Sequence, residues 1–187
     1  VHMAFPNSEQ LTQLSSQILG HSDLSVEDIK VTRAGKKSKV VVHIDGDTPP
    51  DSDVIEKVSQ EISAFFDAQE EEGLLDFGAG YTLEVSTPGV GLPLQAARHW
   101  RRNRGRKVAL NMAGKTQLVR IGALDPAEKR VALISSEGKN AVFSIERLEN
   151  IDHAVVEIEF ALPPEWEKEA AQATFEFAEE NSVTRED

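Results

Sequence analysis

Apolar residues recur along the first part of the chain with two different periods. Leu11, Leu14, Ile18 and Leu19 follow Pro6-Asn7-Ser8 at three-and-four spacing, which predicts a helix with one buried face, ended by Gly20. Val26 to Ala34 and Lys39 to Asp45 read as the strands of a hairpin with a basic tip at Gly35-Lys36-Lys37-Ser38, and Val40, Val42 and Ile44 share one side of the second strand. Helical spacing returns in Val54, Ile55, Val58, Ile62, Phe65 and Phe66. Acids oppose the dipole at a helix C-terminus, so Glu70, Glu71 and Glu72 place the end of that helix near Asp67 to Gln69. Tyr81, Leu83 and Val85 then alternate with Thr82, Glu84 and Ser86. The order α-β-β-α-β, with one apolar face on each element, predicts a two-layer α+β sandwich over residues 7–88 with both helices on one sheet face.

Beyond Gly105 the pattern is of short strands separated by turn residues: Lys107 to Asn111, Gln117 to Leu124, Arg130 to Ser135, Ala141 to Ile145, and Ala154 to Phe160. Five short strands over residues 105–162 fit a small all-β barrel of the SH3 or Sm-like kind, because closure removes edges that a small sheet cannot cover. In the last strand Ala154, Val156, Ile158 and Phe160 are expected to face inward. Val155, Glu157 and Glu159 then face out, and those acids serve either to protect the edge or to dock a basic protein. Pro163-Pro164 ends the barrel. Residues 163–187 form an acidic tail, with eight acids and two bases from Glu165 onward, which reads as a mobile segment. The other reading is a docked helix, with Trp166, Ala170, Ala173 and Phe177 on one face.

Charge singles out the segment between the two patterned regions. The 187-residue chain has a formal net charge of −12, yet no acid occurs between Glu84 and Asp125. Within that interval Arg98, Arg101, Arg102, Arg104, Arg106 and Lys107 crowd together. Residues 89–104 read as a basic linker helix, with Pro93 at its first position, Leu94, Ala97 and Trp100 on one face and Gly105 at its end. Cations suit the last turn of a helix, but six exceed what capping requires, and Arg forks bind phosphate bidentately. Contact with an RNA backbone is therefore the chemical reading beside the structural one. Base reading lacks support, because Tyr81 is the only tyrosine and no aromatic platform motif is present. The charge contrast further predicts that the acidic tail covers this cationic island in the free protein.

Several function classes lose support. Without cysteine there is no disulfide, thiolate metal site or thiol nucleophile. No apolar run of membrane-spanning length and no signal-like start is present, so a soluble cytoplasmic protein is expected; Val1-His2-Met3 reads as a cloning remnant. Asp45, Asp47, Asp51, Asp53 and Glu56 match the acidic positions of a calcium loop, but Pro50 stands where that loop needs glycine. Helix capping by Asp51 or Asp53 is the better account. Gly89 and Gly91 lack the third glycine of a dinucleotide fingerprint, Ser86 lacks the glycines of a nucleophile elbow, and the histidines lack zinc or triad spacing. No catalytic residue, metal or cofactor is expected.

The segment YTLEVSTPG, followed by LPL and a basic helix, resembles the signature of the bacterial ribosome maturation factor RimP family, and VVHIDGDTPPDSDVIEKVSQEI resembles that family's strand, acidic loop and helix. The resemblance runs from about Leu11 to Phe160. Gly91-Leu92 departs from it, standing where the family usually has a polar or acidic residue and then Arg. The resemblance implies a non-enzymatic factor for maturation of the small ribosomal subunit, monomeric and away from membranes. It would bind rRNA phosphates through Arg98, Arg101, Arg102, Arg104, Arg106 and Lys107. A basic small-subunit ribosomal protein of the decoding centre, protein twelve, would be held through Glu157 and Glu159. A general RNA-binding module, a protein-only chaperone for a basic ribosomal protein, and a metal-dependent enzyme acting on a phosphorylated substrate remain the alternatives.

Overall fold

The computed structural model describes residues 5–19, 23–34, 36–89 and 91–183, and the chain divides into two compact units between Pro88 and Gly89. Gly20, Gly35, Val1-His2-Met3, position 90 of the linker 89–104 and positions 184–187 of the acidic tail, all of which figure in the sequence reading, lie outside the described residues. The first unit runs α1 (Ser8–Leu19), β1 (Leu24–Ala34), β2 (Lys37–Gly46), α2 (Ser52–Glu71) and β3 (Tyr81–Ser86). β1 pairs antiparallel and β3 parallel with the central β2. A parallel step needs a crossover, and α2 supplies it. Val40, Val42 and Ile44 are fully buried beneath Leu11 of α1 and Val58, Ile62 and Phe66 of α2, so period two meets period 3.6 in a single core.

The start of α2 is fixed by Asp51, whose Oδ1 accepts the Val54 N–H at 2.9 Å. Among the described residues no group of three or more His, Asp or Glu is arranged to hold a metal ion. The far end of α2 differs from expectation: the helix continues to Glu71. Glu70 is tolerated there because its Oε2 accepts the Phe77 N–H at 2.9 Å. Phe77 in turn stacks on Tyr81 with ring centroids 4.3 Å apart. Burial, and then the Asp67 carboxylate to which the Tyr81 hydroxyl donates at 3.2 Å, push that phenol up to about 12.

The second unit contains α3 (Ala97–Arg102), β4 (Lys107–Met112), β5 (Lys115–Leu124), β6 (Arg130–Glu137), β7 (Asn140–Arg147), β8 (His153–Val156), α4 (Glu165–Gln172) and α5 (Phe175–Glu180). Its sheet is antiparallel with order β7-β6-β5-β4-β8. The fold is thus α+β in both units. No ladder joins β7 to β8 among the described residues, so the sheet has two edges, and each is partly blocked. Pro93 bridges Val155 beside β8, and the Val183 N–H donates to the Phe143 carbonyl of β7 at 3.1 Å.

Two sequence expectations fail here. β8 stops at Val156, and Ile158 and Phe160 point outward, 58% and 98% exposed. After the Glu157 N–H donates to the Lys107 carbonyl at 2.9 Å the ladder ends, and the Glu159 carboxylate turns onto buried Arg120. Over its described residues, 163–183, the acidic tail is also not a mobile strand of charge. It folds into α4 and α5, whose Ala170, Ala171, Phe175 and Ala178 pack on Ala123, Ala132, Ile134 and Phe143. A single helix is interrupted at Thr174, whose hydroxyl accepts the Phe177 N–H at 3.2 Å and starts α5 anew.

The central strands are therefore covered on both faces. Trp100, Val108, Leu110, Val119, Ile121, Val131, Leu133 and Ala154 make one core, and the helix pair closes the other face. Gly122 sits at an irregularity of the β5–β6 ladder, and a Cβ there would stand 2.9 Å from both the Ala132 carbonyl oxygen and Ile134 Cδ1. Gly122→Ala is expected to destabilise this unit by about 1–3 kcal/mol through overpacking, read as a lowered urea midpoint. An unchanged midpoint would show that the strands separate at no cost.

Candidate functional site

The cationic junction is built from the inside outward. Trp100, 3% exposed, anchors α3 in the core, which leaves its neighbours at the surface. α3 is only six residues long, because Pro93 is engaged with β8 rather than opening the helix. Its first turn is closed by a residue the sequence does not single out: His99 Nδ1 accepts the N–H groups of Gln95 and Ala96, each at 3.0 Å. Gly105 ends the segment with φ of +88°, a conformation that favours glycine. Its N–H donates to the Ile121 carbonyl at 2.8 Å, while the Ile121 N–H donates to Arg106 O at 2.9 Å. The arginine-rich turn is thereby pinned to β5.

Beneath that turn lies Arg120, which reads in sequence as one more member of the island. Its side chain is 2% exposed. Nε and Nη2 donate to Glu167 Oε2 at 3.0 and 2.6 Å, Nη2 and Nη1 to the two oxygens of Glu159 at 2.7 and 3.0 Å, and Nη1 to Gly105 O at 2.9 Å. Those five bonds match the five N–H donors of a guanidinium. The Glu159 carboxyl is held below its usual range, first by the Arg120 hydrogen bond, while Arg120 is driven further toward its charged form by Glu159 and then Glu167. Arg120 is a clasp that joins the junction, the segment after β8 and α4. The signal was a lone charge inside the apolar run Leu118 to Leu124, which two covered faces force into ion pairing.

The six cations singled out from sequence lie along this one segment. Arg101, Arg104 and Arg106 are exposed, and Arg98, Arg102 and Lys107 are half-buried. Arg101 pairs with Glu128, and Arg106 Nη1 donates to Asn103 Oδ1 at 3.2 Å. Arg104 Nε and Nη2 donate to the carbonyls of Ala171 and Ala173 at 2.8 and 2.9 Å. Of the two acids singled out, Glu157 is exposed, whereas both Glu159 oxygens already accept from Arg120. Missed altogether was Arg130. Asp125, 7% exposed, accepts the main-chain N–H groups of Lys129 and Arg130 at 2.8 Å each, and these bonds, that of Arg130 foremost, hold its carboxyl below the usual range. The Arg130 side chain then reaches Glu179 at 2.7 Å.

The arrangement leaves exposed guanidinium groups and exposed acids on the surface of a protein built of two α+β units, with no catalytic constellation among the described residues. Among the described residues no helix is long and apolar enough to cross a membrane. Residues 14–91 match the RimP N-terminal domain. A ribosome maturation factor RimP of Corynebacterium aurimucosum is 59% identical, over 99% of this chain and 100% of the relative. That of Corynebacterium diphtheriae is 49% identical over 94% of each, and that of Corynebacterium urealyticum 37% over 99% of each. The chain belongs to the RimP family of ribosome maturation factors, which are assembly factors and not enzymes, and its role lies in ribosomal subunit maturation.

Proposed function

We propose that this protein is a cytoplasmic, monomeric factor for maturation of the small ribosomal subunit. Arg98, Arg101, Arg102, Arg104, Arg106 and Lys107 contact rRNA phosphates. Glu157, with Glu159 setting the course of its segment through Arg120, meets a basic small-subunit ribosomal protein, protein twelve of the decoding centre. The second sheet, with its five short strands, is read as an SH3- or Sm-like arrangement left open between β7 and β8. The observation that carries the reading is the concentration of six cations on one short segment of a chain whose net charge is −12. A strongly acidic protein is repelled by RNA over most of its surface, so attraction confined to one patch orients it. The acidic remainder favours a basic protein partner and speeds encounter with it.

Co-sedimentation with purified ribosomal subunits tests this. The protein is expected to pellet with free small subunits and not with large ones, and to dissociate as salt rises. Equal pelleting with both subunits would favour a general RNA-binding module. Salt-resistant capture of the isolated ribosomal protein, unaffected by loss of the arginines, would favour a protein-only chaperone.

A further inference from the structure

We propose that Arg130 belongs with Arg104 to the phosphate-binding surface of the second unit, and that α5 is the built-in competitor for Arg130. The proposal rests on the reading that the cationic junction contacts RNA phosphate. Both guanidinium groups are held by one short stretch of the C-terminal segment. Arg104 donates to the carbonyls of Ala171 and Ala173, at the end of α4 where the helix dipole is negative. Arg130 donates from Nη1 to Glu179 Oε1 at 2.7 Å, and its Cζ lies 5.0 Å from the centre of the Phe175 ring. Ala173 and Phe175 are two residues apart, a span of at most about 7 Å, so the two arginines share one footprint.

The ligands these helices supply are the ones an RNA strand would supply. Carbonyl and carboxylate oxygens stand where phosphate oxygens would accept from guanidinium forks, and the Phe175 face stands where a base would stack on Arg. The contacts of Arg130 are exchangeable, since its side chain is 38% exposed and that of Glu179 48%. Arg120, under the same helices, is 2% exposed and has all its donors engaged, so it belongs to the scaffold. Asp125 fixes the main chain of Arg130 without involving the helices. Arg130 therefore stays placed when α5 lifts. Exchange would be local: α5 moves from Arg130 while Glu167 of α4 keeps its hold on Arg120.

The test uses the full chain and a fluorescein-labelled single-stranded RNA 20-mer, with anisotropy read from 50 to 300 mM salt. Glu179→Gln removes the competing carboxylate. Glu176→Gln, on the same exposed helix surface, changes net charge equally but removes no ion pair found among the described residues. Glu179→Gln is expected to bind about 3- to 10-fold more tightly at 50 mM salt, with a log–log salt slope steeper by about 0.7, the value for one further phosphate contact on a single strand. Glu176→Gln should stay within about twofold of the parent, and adding Arg130→Gln should abolish the gain. Equal affinities for the two glutamine variants would overturn the competitor while leaving RNA contact by the junction intact. Absence of RNA binding by the parent and every variant at 50 mM salt would overturn both. Trp166 lies on α4, so an unchanged tryptophan spectrum for Glu179→Gln confirms that the fold is kept.

Discussion

Arg120→Ala is expected to cost the second unit about 3–5 kcal/mol, because it leaves the carboxylates of Glu159 and Glu167 facing each other with no cation between them. Loss of the pair is worse than its replacement by apolar groups would be, since two largely desolvated charges and the Gly105 carbonyl all lose their donor. Both tryptophans, Trp100 and Trp166, lie in this unit, so their fluorescence in urea reports on it alone. Arg120→Lys should recover only part of the loss, because an ammonium has three donors where five are used. The pH dependence has a definite sign. Glu159 is depressed in the folded state, so its contribution is fully present above the unfolded value of about 4.3 and is lost as pH falls through the lower folded value. The parent should therefore lose urea resistance below about pH 4.3, and Arg120→Ala should flatten that part of the profile. A variant as stable as the parent, with the same acid limb, would show that the clasp is ornamental.

Converting Arg98, Arg101, Arg102, Arg104, Arg106 and Lys107 together to glutamine should lower RNA affinity at 50 mM salt by about 100-fold or more, with the salt slope falling by about 0.7 for each phosphate contact removed from a single strand. Stability should change little from the loss of Arg101–Glu128, since exposed ion pairs contribute about 0–1 kcal/mol. Anisotropy titrations across salt check the first quantity and urea unfolding the second. An unchanged slope would remove these side chains from the RNA surface. A large loss of stability would mean that they act, like Arg120, on the fold.

The first unit was almost fully legible. Val40, Val42 and Ile44 on one strand, and Val58, Ile62 and Phe66 on one helix, mark faces that can only be buried against each other, and each signal is local. In the second unit local signals mislead. Alternation through Ile158 and Phe160 continues the strand pattern beyond the point where Arg120 captures Glu159, a partner 39 residues away. The C-terminal acids look solvated because their composition is averaged over a segment. Yet Glu167 and Glu179 face Arg120 and Arg130, and the small residues Ala170, Ala171 and Ala178 let the helices lie close on the sheet. The cationic island was visible as charge. Its division into a buried clasp, an arginine held by the end of α4, and exposed groups was not, because that depends on which strand face each side chain takes once both faces are covered.

The clasp also orders events during synthesis. Arg120 is translated 39 residues before Glu159 and 47 before Glu167. While the ribosome is still making the C-terminal segment, β5 carries an uncompensated guanidinium into a forming core, and the apolar face of the sheet that α4 and α5 will cover is open to water. The second unit can therefore complete its fold only when its last helices leave the exit tunnel. The first unit, whose core closes within residues 5–88, is free to form well before.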